Sequence, residues 1–141
     1  MSHMCTKGIF LPPPSFLPAY HTSPTATALQ WLAPQQTAGG RQPYVFTQCQ
    51  PIHARSVLPC QDTPLARIKY SAKVTIPATA KVVMGAASVG REERGETAVE
   101  QFAMEQPIPP YLFALAAGDI TFADISDRCR VYAGEGEGWG P

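Results

Sequence analysis

Between Ile68 and Ile76 the sequence alternates without a break. Ile68, Tyr70, Ala72, Val74 and Ile76 are apolar, and Lys69, Ser71, Lys73 and Thr75 between them are polar. Successive side chains on a strand point to opposite faces, so this pattern predicts a strand with one buried and one solvated side. It commits the chain to a sheet that is wet on one face, the usual habit of antiparallel sheets. The punctuation agrees: 15 prolines and 11 glycines in 141 residues disfavour long helices and suit short strands joined by turns. A chain of this length fits one domain and buries about 68–70% of its unfolded surface, enough for its own core.

The other segments follow the same logic. Residues 22–34 hold Ala28, Leu29, Trp31 and Leu32 before Pro34, which predicts a short strand with Trp31 as a core plug. Residues 35–42 contain Gly39-Gly40 and read as a loop. Tyr44, Val45 and Phe46 begin a strand, and residues 53–58 form one helical turn stopped by Pro59. Lys81 to Met84 is expected to return beside the alternating strand. Residues 85–95 read as a loop, with Arg91, Glu92, Glu93 and Arg94 solvated. Residues 98–106 resume as a strand with Phe102 and Met104 on one face, and Pro107 to Pro110 is a rigid extended break. The run YLFALAA from Tyr111 to Ala117 is apolar throughout; its period assigns it to neither helix nor strand, and burial is expected either way. Strands are expected again at residues 119–125 and 128–133. The fold class is therefore all-β, an antiparallel sandwich or saddle-like domain of short strands. Residues 1–21 are a tag remnant and Pro-rich arm, 22–133 the β-domain, and 134–141 a disordered Gly-rich tail.

Charge excludes some functions. The formal net charge is zero, so there is no electrostatic footprint for nucleic acid or an anionic membrane. No run approaches the roughly 18 apolar residues of a membrane span. Four prolines interrupt the apolar GIFLPPPSFLPAY near the N-terminus, so it is not read as a signal peptide. Cys5, Cys49, Cys60 and Cys129 lack C-x-x-C or Cys/His zinc spacing; reduced thiols and a cytoplasmic setting are expected. No evident base or helix N-terminus makes a nucleophile of Cys49 or Cys60. Asp119, Asp124 and Asp127 do not have the spacing of a calcium loop and read as turn or capping residues.

The most informative stretch is PYVFTQCQPIHARSVLPCQDTP, residues 43–64. Gln48 and Gln50 stand two apart at a strand end, which places their side chains on one face. His53 reads as a satisfied or exposed histidine. Together with TSPTATALQWLAPQQT, IKYSAKVTIP and QPIPPYLFALAAGDI, this stretch resembles the N-terminal β-domain of the M1 zinc aminopeptidases, nearest their leukotriene A4 hydrolase branch. The resemblance runs from about Thr22 to Ala133 and is loose over residues 85–101.

The resemblance implies a saddle-shaped, mainly antiparallel domain packed against a catalytic domain that follows it. It also implies that the glutamine of Q-x-Q binds the free amino group of a peptide substrate; here that is Gln50, with Gln48 beside it. An amide oxygen suits an ammonium group because it accepts a hydrogen bond without competing for the metal. The family's zinc needs H-E-x-x-H and a distant Glu, but this chain has only His3, His21 and His53, none four residues from another. The family's G-x-M-E-N motif is also missing; Ala103-Met104-Glu105-Gln106 is only faintly like it and lies before IPPYLFALAAG instead of after. By the same resemblance the first strands of the family domain are expected to be absent too, which makes the expected domain a truncated one. The chain alone is expected to be no enzyme and to hold no cofactor, with zinc belonging to an absent domain. Its partner is expected to be that catalytic domain or, for a free-standing interaction module, another copy or a protein met through exposed strand edges.

Overall fold

The computed structural model describes residues 19–134 and the backbone of Thr6–Lys7; the rest of the Pro-rich arm and the tail from 135 lie outside the described residues. The strands are β1 (Thr6–Lys7), β2 (Leu29–Leu32), β3 (Tyr44–Thr47), β4 (Ile68–Pro77), β5 (Lys81–Met84), β6 (Ala87–Arg94), β7 (Thr97–Ile108), β8 (Leu115–Gly118), β9 (Ile120–Ser126) and β10 (Cys129–Gly134). They form a sheet ordered β1-β4-β7-β6, a second ordered β2-β3-β8-β5, and a ribbon of β9 and β10. Every pairing is antiparallel. The all-β expectation holds: the only described helices are single 3-10 turns at Pro34–Gln36, Ala54–Ser56 and Pro110–Leu112.

β4 behaves as its alternation predicts. Tyr70, Ala72, Val74 and Ile76 are buried, and the residues between them are exposed. Ala72, Val74 and Ile76 lie opposite Phe102, Glu100 and Ala98 of β7. From the second sheet, Val45, Val82, Met84 and Ala117 join the same core, which therefore fills the space between the two sheets. Each fully buried aliphatic or aromatic side chain there contributes about 1.5–3 kcal/mol. Tyr70 packs on Phe113 with ring centroids 5.4 Å apart. Burial pushes the Tyr70 phenol up to about 12.

One charged residue sits on this core face. Glu100 is buried, and its Oε1 accepts the Val82 N–H at 3.1 Å and the Arg91 Nη1–H at 2.8 Å. Val82 belongs to β5, at the margin of the second sheet, where a backbone donor has no further strand to meet. The carboxylate thus ties the first sheet to the second. Arg91 completes the link by donating to the carbonyls of Ala80 and Ala78 at 3.0 and 2.7 Å.

Several expectations are corrected. Lys81–Met84 does not return beside β4; it pairs with β8 in the other sheet, where Val82 and Met84 turn into the core shared with β4. Residues 87–94 are not a loop but the edge strand β6, exposed at every position. A strand with no buried face shows no apolar period, and its charged side chains suit a sheet edge. They are cross-bonded, Arg91 to Glu93 and Arg94 to Glu92. Trp31 is no core plug: it is 49% exposed, because β2 is an edge strand that turns Gln30 and Trp31 to solvent. In the YLFALAA run, Leu112 and Ala114 are exposed, since a 3-10 turn precedes the short strand β8. The extended break after residue 106 begins later than expected, with β7 running through Pro107 to Ile108. β9 forms where alternation predicts, yet Phe122 and Ile125 are exposed.

Candidate functional site

Gln48 and Gln50 follow the end of β3 and are both exposed. β3 lies between β2 and β8, so the segment leaves the sheet from an interior strand with fixed neighbours. At the opposite end of β3 the close approach of β8 holds the strand in place: a Cβ on Gly118 would stand 2.8 Å from the Tyr44 ring and 3.2 Å from the Pro43 carbonyl oxygen. Between the two glutamines Cys49 turns inward, 3% exposed, and the Gln50–Pro51 peptide is cis. Alternating exposure thus continues beyond the last ladder bond, and both amides face solvent.

A set of hydrogen bonds surrounds this segment. The Gln48 N–H donates to the Ala28 carbonyl at 2.7 Å, and the His53 N–H donates to the Cys49 carbonyl at 2.8 Å. The Ser56 hydroxyl donates to the His53 carbonyl at 2.8 Å and accepts the Ala28 N–H at 3.0 Å. Thr27 Oγ1 and the His53 ring Nδ1 share a hydrogen bond at 2.9 Å. His53 is therefore a satisfied histidine, as expected. The helical turn predicted for residues 53–58 appears as the 3-10 turn Ala54–Ser56, whose Ala54 is fully buried.

Asp62 closes the far side of the loop. Its side chain is buried and accepts the Arg55 backbone N–H at 3.0 Å and the Arg55 Nε–H at 3.3 Å, while its own carbonyl accepts from Arg55 Nη2 at 2.9 Å. Sequence reasoning did not single out Thr27, Ser56, Arg55 or Asp62. A hydrogen bond spanning 28 residues, as between Ala28 and Ser56, leaves no local pattern.

The thiols of Cys49 and Cys60 are both pushed up from an ordinary 9.0 to about 11, first by burial and then by the negative charge of Asp62. Neutral thiols are poor nucleophiles, which fits a structural role. Because the folded state holds both protons more tightly than the unfolded chain, stability falls as pH climbs from about 9 through about 11. Asp62→Asn removes the charge and keeps an acceptor for the Arg55 N–H. It is expected to lower both thiols and to raise the rate of Cys60 alkylation by iodoacetamide at pH 8 severalfold. Mass-spectrometric labelling kinetics read this directly; an unchanged rate would rule out the Asp62 effect.

Asp119 pairs with Arg41 at 2.8 Å, away from Asp124, which pairs with Arg130, and from Asp127 in the turn between β9 and β10. Among the described residues, no group of three His, Cys, Asp or Glu side chains could hold a metal ion. No described helix is long and apolar enough to cross a membrane. Cys49, Cys60 and Cys129 are unpaired thiols.

Comparison with known proteins settles the ancestry of this fold. Residues 20–112 match the peptidase M1 N-terminal domain. The chain belongs to that family. The matched region holds the glutamine segment, its hydrogen-bonded surround and β2 to β7, and it stops before β8. Leucine aminopeptidase 2 of Yarrowia lipolytica is 47% identical over 115 residues, covering 82% of this chain and 17% of that protein. A leukotriene A-4 hydrolase homolog of Botryotinia fuckeliana is 45% identical over 121 residues, covering 82% and 19%. Among solved structures, native yeast LTA4 hydrolase superposes with a TM-score of 0.68 at 40% identity, covering 79% of this chain and 17% of that one. This M1 N-terminal domain thus spans about a fifth of the length of the relatives it matches.

Proposed function

We propose that this M1 N-terminal domain is a non-catalytic wall of a metallopeptidase. It would frame the substrate cleft of a zinc-bearing catalytic domain, with Gln50, assisted by Gln48, accepting hydrogen bonds from the free amino group of a peptide substrate. The observation that carries the reading is the exposure of both amides at the end of an interior strand, within the matched family region. The described residues do not fit a zinc site, so the metal's chemistry is assigned to another part of the parent protein. A positioned amide binds and orients an ammonium group, and no proton transfer is asked of it.

A free-standing module that self-associates through strand edges has less support. The edge strand β6 is lined by Arg91, Glu92, Glu93 and Arg94, a charged border of the kind that discourages edge-to-edge pairing. The purified chain is expected to hydrolyse no leucyl-p-nitroanilide, with or without added zinc. Turnover at the level of a complete M1 enzyme, dependent on zinc, would defeat the proposal.

A further inference from the structure

The hydrogen bonds around the two glutamines close into a ring, and one hydroxyl joins its ends. Starting from Gln48, the ring passes to the Ala28 carbonyl, crosses the Ala28 residue to its N–H, and goes on to Ser56 Oγ. It continues to the His53 carbonyl, crosses that residue to its N–H, reaches the Cys49 carbonyl, and returns along the chain to Gln48. Ser56 spends its single proton on His53 and its lone pair on Ala28, so the directions are consistent all the way round. Ala28 is fully buried, and without Ser56 its N–H has no other partner in this ring. Thr27 braces the ring from outside through the His53 imidazole.

We infer that Ser56 is a positioning residue for the glutamine pair: its hydroxyl locks the segment from Gln48 to His53 onto the start of β2 and so fixes how Gln48 and Gln50 are presented. Its use in substrate recognition rests on the reading that these amides contact an amino group. The lock itself does not depend on any substrate. An exposed amide on a loose segment would lose entropy on meeting its ligand, and one held in place beforehand does not. The ring therefore adds a second level to the site: residues that touch nothing of the substrate but keep two glutamines in a fixed place.

The test is nuclear magnetic resonance on the full chain, comparing wild type with Ser56→Ala and Ser56→Thr. In the wild type, the backbone order parameters of Gln48 and Gln50 are expected near 0.85, the rigid-backbone value. Ser56→Ala should lower them towards about 0.6 and speed exchange of the Ala28 and Gln48 amide hydrogens at least tenfold, with β4 and β7 amides unchanged. Ser56→Thr, which keeps the hydroxyl, should restore both readings. The inference is overturned if Ser56→Ala leaves Gln48 and Gln50 as ordered as before, if β4 and β7 loosen by the same factor, or if threonine does not rescue. Should Ser56→Ala fail to fold, Thr27→Val at an exposed site should loosen the same amides, and unchanged exchange there overturns it. Because no substrate is present, failure of the amino-group contact and failure of the lock are read separately.

Discussion

Gln50→Leu in a complete enzyme is expected to lower kcat/KM for a substrate with a free amino terminus by about 10–100-fold. The enzyme for this measurement is a chimera in which residues 20–112 replace the matching segment of the Yarrowia lipolytica leucine aminopeptidase 2. A hydrogen bond to a charged group is worth about 1.5–3 kcal/mol, and each 1.4 kcal/mol is a factor of ten. Leucine keeps the approximate size of the side chain and removes the acceptor. The position is exposed, so stability should stay within about 0.5 kcal/mol. A fall in rate with an unchanged melting temperature assigns the loss to recognition. Gln48→Leu should have the smaller effect, since the proposal assigns the amino-group contact to Gln50 and only an assisting place to Gln48.

Glu100→Ala is expected to destabilise the chain by about 2–4 kcal/mol. The change strands the Val82 N–H at the margin of the second sheet and removes one partner of Arg91. An unpaired buried donor costs about 1–3 kcal/mol, and the lost charged hydrogen bond adds to it. The Arg91 side chain is 29% exposed and keeps the Ala78 and Ala80 carbonyls, which limits the total. For a domain near 150 residues the melting temperature should fall by roughly 5–15 °C. Glu100→Gln keeps an acceptor for Val82 and loses only the charge, so its cost should be about half. Thermal unfolding of the two variants side by side tests this; equal losses would mean that the ion pair with Arg91, and not the backbone link between the sheets, carries the effect.

The strands that could be read from the sequence are those with one buried face. β4 showed itself through five apolar residues at period two, and β7 through Phe102 and Met104. β6 did not, because an edge strand with every side chain in solvent carries no apolar period and is held by its backbone pairing with β7. The partner of β5 was misjudged for a related reason. Adjacency in sequence favours pairing with β4, but the choice of sheet depends on the core that Val82 and Met84 share with β4 and on the Glu100 side chain that receives the Val82 N–H. Trp31 illustrates the limit of residue type as a guide to burial, since a large aromatic on an edge strand can lie half in solvent. At the candidate site, the alternation that carries Gln48 and Gln50 to one exposed face was legible from their spacing after β3. Thr27, Ser56 and Asp62 were not, because their partners lie either far away in sequence or around a turn whose geometry no spacing rule encodes.

The central claim is that an amide on this domain reads the charged amino terminus of a ligand bound elsewhere in the protein. A double-mutant cycle on the chimera tests it most directly, using leucine hydroxamate and its analogue without the amino group against wild type and Gln50→Leu. The account predicts that Gln50→Leu weakens leucine hydroxamate at least tenfold and leaves the des-amino analogue within twofold. Equal weakening of both ligands, or of neither, would contradict it.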